Sequence, residues 1–159
     1  MEMNAFLCDA MLARLARYLR AAGFDAAQAG SRATDADILR QAADEGRILL
    51  TCDRKILEHK AARGRTLLLP HGSLEAQAAV LNREFGLDWL ARAFTRCLLD
   101  NAVLDEAGAG QMSQVPESAR REHERLLACP ACGRVYWPGS HYRRMLKKLA
   151  ELLGAGAAQ

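Results

Sequence analysis

Four aspartates and one closely spaced cysteine pair carry the chemistry this sequence can offer: Asp9 in "FLCDAML", Asp35 and Asp37 in "TDADILR", Asp53 in "LLTCDRK", and Cys129 with Cys132 in "CPACG". Carboxylates gathered in one place repel one another unless a cation joins them. Mg²⁺ or Mn²⁺ suits such a set, because each takes hard oxygen ligands, binds one or two carboxylates directly, and completes its shell with water and substrate phosphate. A site of that kind performs metal-assisted hydrolysis. The ion lowers the pKa of an attacking water and neutralises the charge that builds on phosphate during in-line displacement. Arg14, Arg17 and Arg20 recur every three residues after Asp9, and Arg54 and Lys55 follow Asp53, so cations for a nucleic-acid backbone lie beside the acids. Each feature alone has a plainer reading. An aspartate at a strand end is a turn residue, one in the first helical turn is a cap, and an arginine row is a solvated face. Their joint placement is what favours a site.

That placement depends on the elements around them. "NAFLCD" is a short buried strand ending at Asp9, and "AMLARLARYLRAAG" follows as a helix with Leu12, Leu15, Ala16 and Leu19 on one stripe and Gly23 as its stop. "FDAAQ" is a weak second strand. The next helix, "TDADILRQAADEG", opens on a capping box of Thr34 and Asp37, leads to the strand "RILLT", and is followed by a short helix over "RKILEHKAARG" and a further strand "RTLLLP". "SLEAQAAVLNREFG" is a helix between Ser73 and Gly86, and "LDWLARAF" adds a turn or two. This alternation implies a mostly parallel α/β sheet covered by helices, in which ligands bind beyond the carboxyl ends of the strands. Asp9 and Asp53 stand there, with Asp35 and Asp37 on the helix feeding the third strand.

A chain of 159 residues, half apolar, suffices for one domain and a small appendage. No apolar run approaches the roughly 20 residues of a membrane span, and "MEMNAFLCDAML" lacks the basic start and cleavage site of a leader; a cytoplasmic protein is expected. Five cysteines, an odd number, at scattered positions do not form a disulfide framework. The net charge of +3 and pI near 8.7 allow a polyanionic partner without requiring one.

The combination "FLCDAMLARLARYLRAAGFD", "DADILRQAADEGRILLTCDR" and "CPACGRVYWPGSHYRRM" resembles the Mut-seven C-terminal RNase domain family, a branch of the PIN-like nucleases with a C-terminal zinc ribbon. The resemblance spans about residues 5–146. It implies a PIN-like nuclease domain over 1–95 followed by a zinc-ribbon-like region over 96–149. In the residues themselves the strand-helix grammar changes near residue 95 to short Gly- and Pro-punctuated pieces, then the basic amphipathic helix "YRRMLKKLAELLG" and a small-residue tail over 150–159 that is expected to be disordered. The resemblance also implies a metal-dependent ribonuclease with RNA as partner and no membrane association. Asp9, Asp35, Asp37 and Asp53 match the family's acidic positions, and the ligand in the helix turn is open between two: Asp35 matches the more regularly acidic position, and Asp37, two residues further into the turn, is the better placed to point at the sheet.

The family's first ribbon ligands occupy a segment resembling "RC-x-x-CN", here "RCLLDN", so Cys97 is kept and Asp100 replaces the second cysteine. Three arrangements remain open. Zn²⁺ is held by Cys97, Asp100, Cys129 and Cys132, or another residue such as His123 or His141 completes the set, or the ribbon carries no metal. Carboxylate oxygen can take a tetrahedral position on zinc, although a hard oxygen in place of a thiolate weakens the site. Downstream, Trp137, His141, Arg143 and Arg144 mix aromatic faces with cations, the composition that binds unpaired nucleotides, while Trp137 could equally cap a small core. Two rival functions stand beside the nuclease. One is a catalytically inactive RNA-binding adaptor using the ribbon and basic helix; the other is a phosphoacceptor domain built on Asp53, for which "CDAML" supplies only one of the two acids needed.

Overall fold

Strands β1 (Phe6–Cys8), β2 (Ala26–Gln28), β3 (Ile48–Thr51) and β4 (Thr66–Leu68) form one sheet in the order β2-β1-β3-β4, every neighbouring pair parallel. The structure is a computed structural model and describes residues 4–123 and 126–157. Helices α1 (Ala13–Ala21), α2 (Asp35–Asp44) and α3 (Leu74–Phe85) connect or flank the strands. Successive strand residues feed opposite faces, as a pleat requires. Phe6, Cys8 and Leu50 belong to a core with Leu15 and Leu19 of α1 and Leu81 of α3, whereas Leu7 and Leu49 pack with Ile38 and Leu39 of α2. Both faces are therefore covered, which is why these strands read as continuous apolar runs.

The expected helix ends have their signals in place. Ser73 Oγ accepts from Ala76 N at 3.1 Å and starts α3, and Gly86 stops it in the left-handed conformation. The segment after Asp53 differs from expectation. It makes two 3₁₀ turns, Arg54–Glu58 and Lys60–Ala62, because only Ile56 and Ala62 are buried and no continuous apolar stripe exists to dock a regular helix. Residues 87–95 run as turns. Trp89 is fully buried there, its indole N–H donating to Asn82 Oδ1 at 2.7 Å.

The second part carries β5 (Asp105–Glu106), α4 (Ala109–Met112), α5 (Glu117–Glu122), β6 (Leu127–Ala128) and β7 (Val135–Tyr136), with the three strands antiparallel in the order β5-β6-β7. Leu126, Ala128, Val135 and Val115 give it a small core of its own. The last helix, α6 (Ser140–Leu153), returns to the first part. Met145, Leu149 and Leu152 are buried in the same core as Leu15 and Leu81. The disordered tail expected from residue 150 is thus replaced by helix to Leu153, and Asn82 Nδ2 holds the carbonyls of Leu152 and Ala155 at 2.8 and 3.1 Å. Residues 158 and 159 lie outside the described residues. Among those described, no helix is long and apolar enough to cross a membrane.

Arg20 and Asn101 join the two parts. Arg20 is only 7% exposed and donates to the carbonyls of Ala26, Leu98 and Leu99 at 2.7, 3.1 and 2.9 Å. The expectation that Arg20 binds nucleic acid is therefore corrected: its guanidinium saturates buried carbonyls that would otherwise lack partners. Asn101, at φ 70°, accepts from Ala26 N at 3.0 Å and donates to Asp25 at 2.6 Å.

Candidate functional site

The chain runs from β1 to β2 on one side and then crosses to β3 on the other side of β1, so the strand order reverses between β1 and β3. In an open parallel sheet such a reversal leaves a crevice at the carboxyl ends, where ligands bind. A cleft of about 570 Å³ occupies this place. Every strand contributes its following loop: Asp9 to Met11 after β1, Gly30 and Ser31 after β2, Cys52 to Lys55 after β3, and His71 after β4.

Asp9 and Asp53 are linked through one hydroxyl. Thr51 Oγ1 donates to Asp9 Oδ2 at 2.9 Å and accepts from Asp53 N at 3.1 Å. Each carboxylate also caps its own turn, Asp9 Oδ1 accepting from Met11 N at 3.2 Å and Asp53 Oδ1 from Lys55 N at 2.9 Å. The turn-residue reading and the site reading are therefore both realised at these positions. Asp35 lines the cleft from the start of α2, with His59 Nε2 3.7 Å from its carboxylate.

Asp37 does not line it. Its Oδ2 accepts from the backbone N–H and hydroxyl of Thr34 at 3.1 and 2.7 Å, completing the capping box, and Arg40 pairs with its other oxygen. Those Thr34 bonds, helped by Arg40, hold its carboxyl below the usual aspartate range. Of the two candidates in the first turn of α2, Asp35 lines the same cleft as Asp9 and Asp53, and Asp37 is taken up by the helix terminus. Arg54 and Lys55 stand in the cleft beside the acids.

His71, Thr51 and His59 were not singled out from the sequence. His71 was legible in principle, since the rule that selects residues after strands applies to "LLLPH" as well as to "FLCD". His59 carried no such signal, because two irregular 3₁₀ turns bring it to Asp35.

The model of the Mut7-C RNAse domain family matches residues 4–149. The chain belongs to this family. Membership carries a nuclease-type function with RNA as the substrate class. No curated protein and no solved structure matches the chain.

In this Mut7-C RNAse chain a second group of ligating residues lies in the C-terminal part. Cys97, Asp100, Cys129 and Cys132 each offer one ligand atom, all within 4.8 Å of one another, and among the described residues this is the one cluster of three or more so closely gathered. Cys97 Sγ is 3.8 Å from Cys132 Sγ, and Cys129 Sγ is 3.3 and 3.2 Å from the oxygens of Asp100. Tetrahedral zinc, with bonds of about 2.0–2.3 Å, holds its ligands roughly 3.3–3.8 Å apart. The donor set fits such an ion, and the cluster can hold a metal such as zinc. His123 lies near Glu122 and His141 near Arg17; neither belongs to this group.

The surroundings treat the sulfurs of Cys97 and Cys129 differently. Gly133, at φ 76°, turns the chain so that Cys132 N points to Cys129 Sγ at 3.4 Å, the knuckle expected of "CPACG". Tyr136 Oη lies 3.1 Å from Cys97 Sγ and accepts from Leu98 N at 3.1 Å. Burial acts to raise the Cys97 thiol, but the Tyr136 contact and the backbone N–H groups of Asp100 and Leu99 outweigh it and bring it down. Cys129 is pushed up to about 11, by burial first and by the Asp100 carboxylate beside it. A cation among the four would reverse that cost.

The remaining basic and aromatic candidates divide. Arg14 is exposed with its guanidinium 5.9 Å from the Tyr18 ring centre. Arg17, Trp137 and His141 line a separate hollow against α6, whereas Arg143 and Arg144 are exposed on α6 itself.

Proposed function

We propose that this chain is a metal-dependent ribonuclease that hydrolyses RNA phosphodiester bonds in the cleft at the carboxyl edge of the parallel sheet. The observation that carries the reading is the convergence of Asp9, Asp35 and Asp53 on the crevice between β1 and β3, the first and third tied through Thr51, in a chain of the Mut7-C RNAse family.

The donor set fits Mg²⁺ or Mn²⁺. Its oxygens are hard, they border an open cleft, and they spread along it without closing into a cage, as suits an ion that binds through one or two carboxylates and keeps water for the rest. Asp9, Asp35 and Asp53 would hold the ion, which supplies activation of water and neutralisation of charge on the phosphate. The residues of the chain do the positioning. Thr51 fixes the Asp9 carboxylate relative to the Asp53 backbone, the two capping bonds fix the carboxylate rotamers, and Arg54 and Lys55 bring positive charge to the RNA backbone.

The cysteine cluster has a different task in this proposal. Zn²⁺ bound by Cys97, Asp100, Cys129 and Cys132 ties the Arg96–Asn101 segment to the knuckle before β7 and keeps the second part folded against β2.

Asp9→Asn and Asp53→Asn test the assignment. Each abolishes cleavage while RNA affinity is kept or raised, because the removed charge repels phosphate. A variant that loses RNA binding with its fold intact and its turnover of bound RNA unchanged would refute the role. Wild-type protein that binds RNA and cuts none with either metal would instead support the adaptor reading.

A further inference from the structure

A second cavity, of about 240 Å³, opens where α1, the loop after Cys97, β7 and the start of α6 meet. It belongs to neither the acidic cleft nor the cysteine cluster. Its walls are aromatic. Phe94 and Tyr142 face one another with ring centres 4.0 Å apart and planes inclined by 32°, and Tyr136, Trp137 and the exposed Leu99 add to the lining. Its charged lining is Arg17 and Arg134, and His141 stands beside them with its Nε2 3.3 Å from Arg17 Nη2. No carboxylate is among the described residues lining it.

Three properties restrict what this cavity takes. The volume lies below the roughly 300–1,000 Å³ of pockets for drug-sized ligands, so it admits one ring system and not a folded segment. Flat aromatic walls beside guanidinium groups suit a π-faced anion, since each stacked base contributes about 1–3 kcal/mol and arginine adds to both stacking and phosphate binding. Phe94 is held at φ 61°, its N–H donating to Ala21 O at 2.6 Å, a conformation uncommon for a bulky residue and typical of ligand clamps.

We propose that this cavity is a subsite for one unpaired nucleobase of single-stranded RNA, which stacks on Trp137 while Arg17 and Arg134 hold the adjoining phosphates. The proposal deepens, and rests on, the reading of the chain as a nuclease acting on RNA. Helix α1 connects the two sites. Met11, in the 3₁₀ turn Ala10–Leu12 that runs into α1, borders the acidic cleft and Arg17 on α1 borders the pocket, six residues or roughly 10 Å of helical rise apart, with the exposed Arg14 between them on the Arg17 side. A strand anchored by its base in the pocket then crosses Arg17 and Arg14 to the cleft, which fixes the distance between the anchored base and the bond that is cut.

Trp137 reports on this directly, because the other tryptophan, Trp89, is fully buried. Asp53→Asn protein, used so that RNA stays whole, is titrated with single-stranded hexaadenylate, with inorganic phosphate and with a duplex RNA. Saturable quenching by the hexamer alone is expected. Affinity measured by anisotropy falls at least about fivefold in Arg17→Glu and Trp137→Ala, the lower end of what one stacked base is worth, and is retained in Trp137→Phe. Circular dichroism and metal content confirm that each variant is folded. Hexamer binding without quenching, equal quenching by phosphate, or unchanged affinity in Trp137→Ala overturns the proposal. Cleavage of a longer RNA by wild type separates the two claims: cleavage without quenching removes the subsite alone, and quenching without cleavage in any metal removes the nuclease reading alone.

Discussion

At the scale of single residues, the two acids in the first turn of α2 give the sharpest contrast. In sequence Asp35 and Asp37 are both candidates, because both sit where a helix dipole favours a carboxylate, and the family pattern alone does not decide between them. The structure separates them by direction: Asp35 lines the cleft and Asp37 bonds Thr34. We expect Asp35→Asn to lower kcat by at least tenfold with little change in melting temperature, and Asp37→Asn to lower the melting temperature with kcat unchanged. Cleavage kinetics and a thermal melt on the two proteins decide it. Asp100 makes a second residue-scale prediction. Asp100→Cys restores a softer donor and slows zinc loss to a competing chelator, whereas Asp100→Ala speeds it, as measured with a chromogenic zinc indicator. The replacement of cysteine by Asp100 was readable from the "RCLLDN" segment; that its oxygens reach within 3.3 Å of Cys129 was not, since the two stand 29 positions apart in the chain.

At the scale of elements, strands and helices of the first part were legible because local pattern and tertiary environment agree. Buried runs became parallel strands, and Ser73, Thr34, Gly23 and Gly86 bounded helices as their chemistry predicts. The 3₁₀ turns after Asp53 were not legible, since they are held by a few contacts and not by a periodic face. Gly23 illustrates an element junction under two constraints. It sits at φ 90°, and an added Cβ would collide with the Arg92 carbonyl oxygen, so Gly23→Ala costs more than the roughly 1–2 kcal/mol of a left-handed conformation alone; chemical denaturation measures it. The junction of β2 with the second part makes a pH prediction. Burial acts to raise the Asp25 carboxyl, but hydrogen bonds from Arg47 and Asn101 and the Arg47 charge bring it below its usual value. A depressed folded pKa stabilises above the unfolded value of about 3.9, and that stabilisation disappears as pH falls through the folded value. The melting temperature of wild type therefore drops more steeply below about pH 4 than that of Asp25→Asn.

At the scale of the whole molecule, the chain order conceals which parts depend on each other. Sequence grammar changes near residue 95, which places α6 with the ribbon, yet Met145, Leu149 and Leu152 complete the core under α1 and α3. Amphipathic spacing announced the helix, and nothing in it named the surface that would cover its apolar stripe. Truncation before Ser140 is accordingly expected to leave an aggregating first part, seen as loss of monomer by size exclusion. Zinc removal acts elsewhere. Hydrogen exchange should speed up over 96–107 and 126–137, while β1, β3 and α6 keep their protection. The central claim is that the acidic cleft cuts RNA with a bound divalent ion. Its most direct test is cleavage of a labelled mixed-sequence RNA by wild type and Asp9→Asn, each with Mg²⁺, with Mn²⁺, or with neither. The account predicts that only wild type cuts, only with metal, and that Asp9→Asn still binds the RNA; cleavage without a divalent ion, or by Asp9→Asn at the wild-type rate, would contradict it.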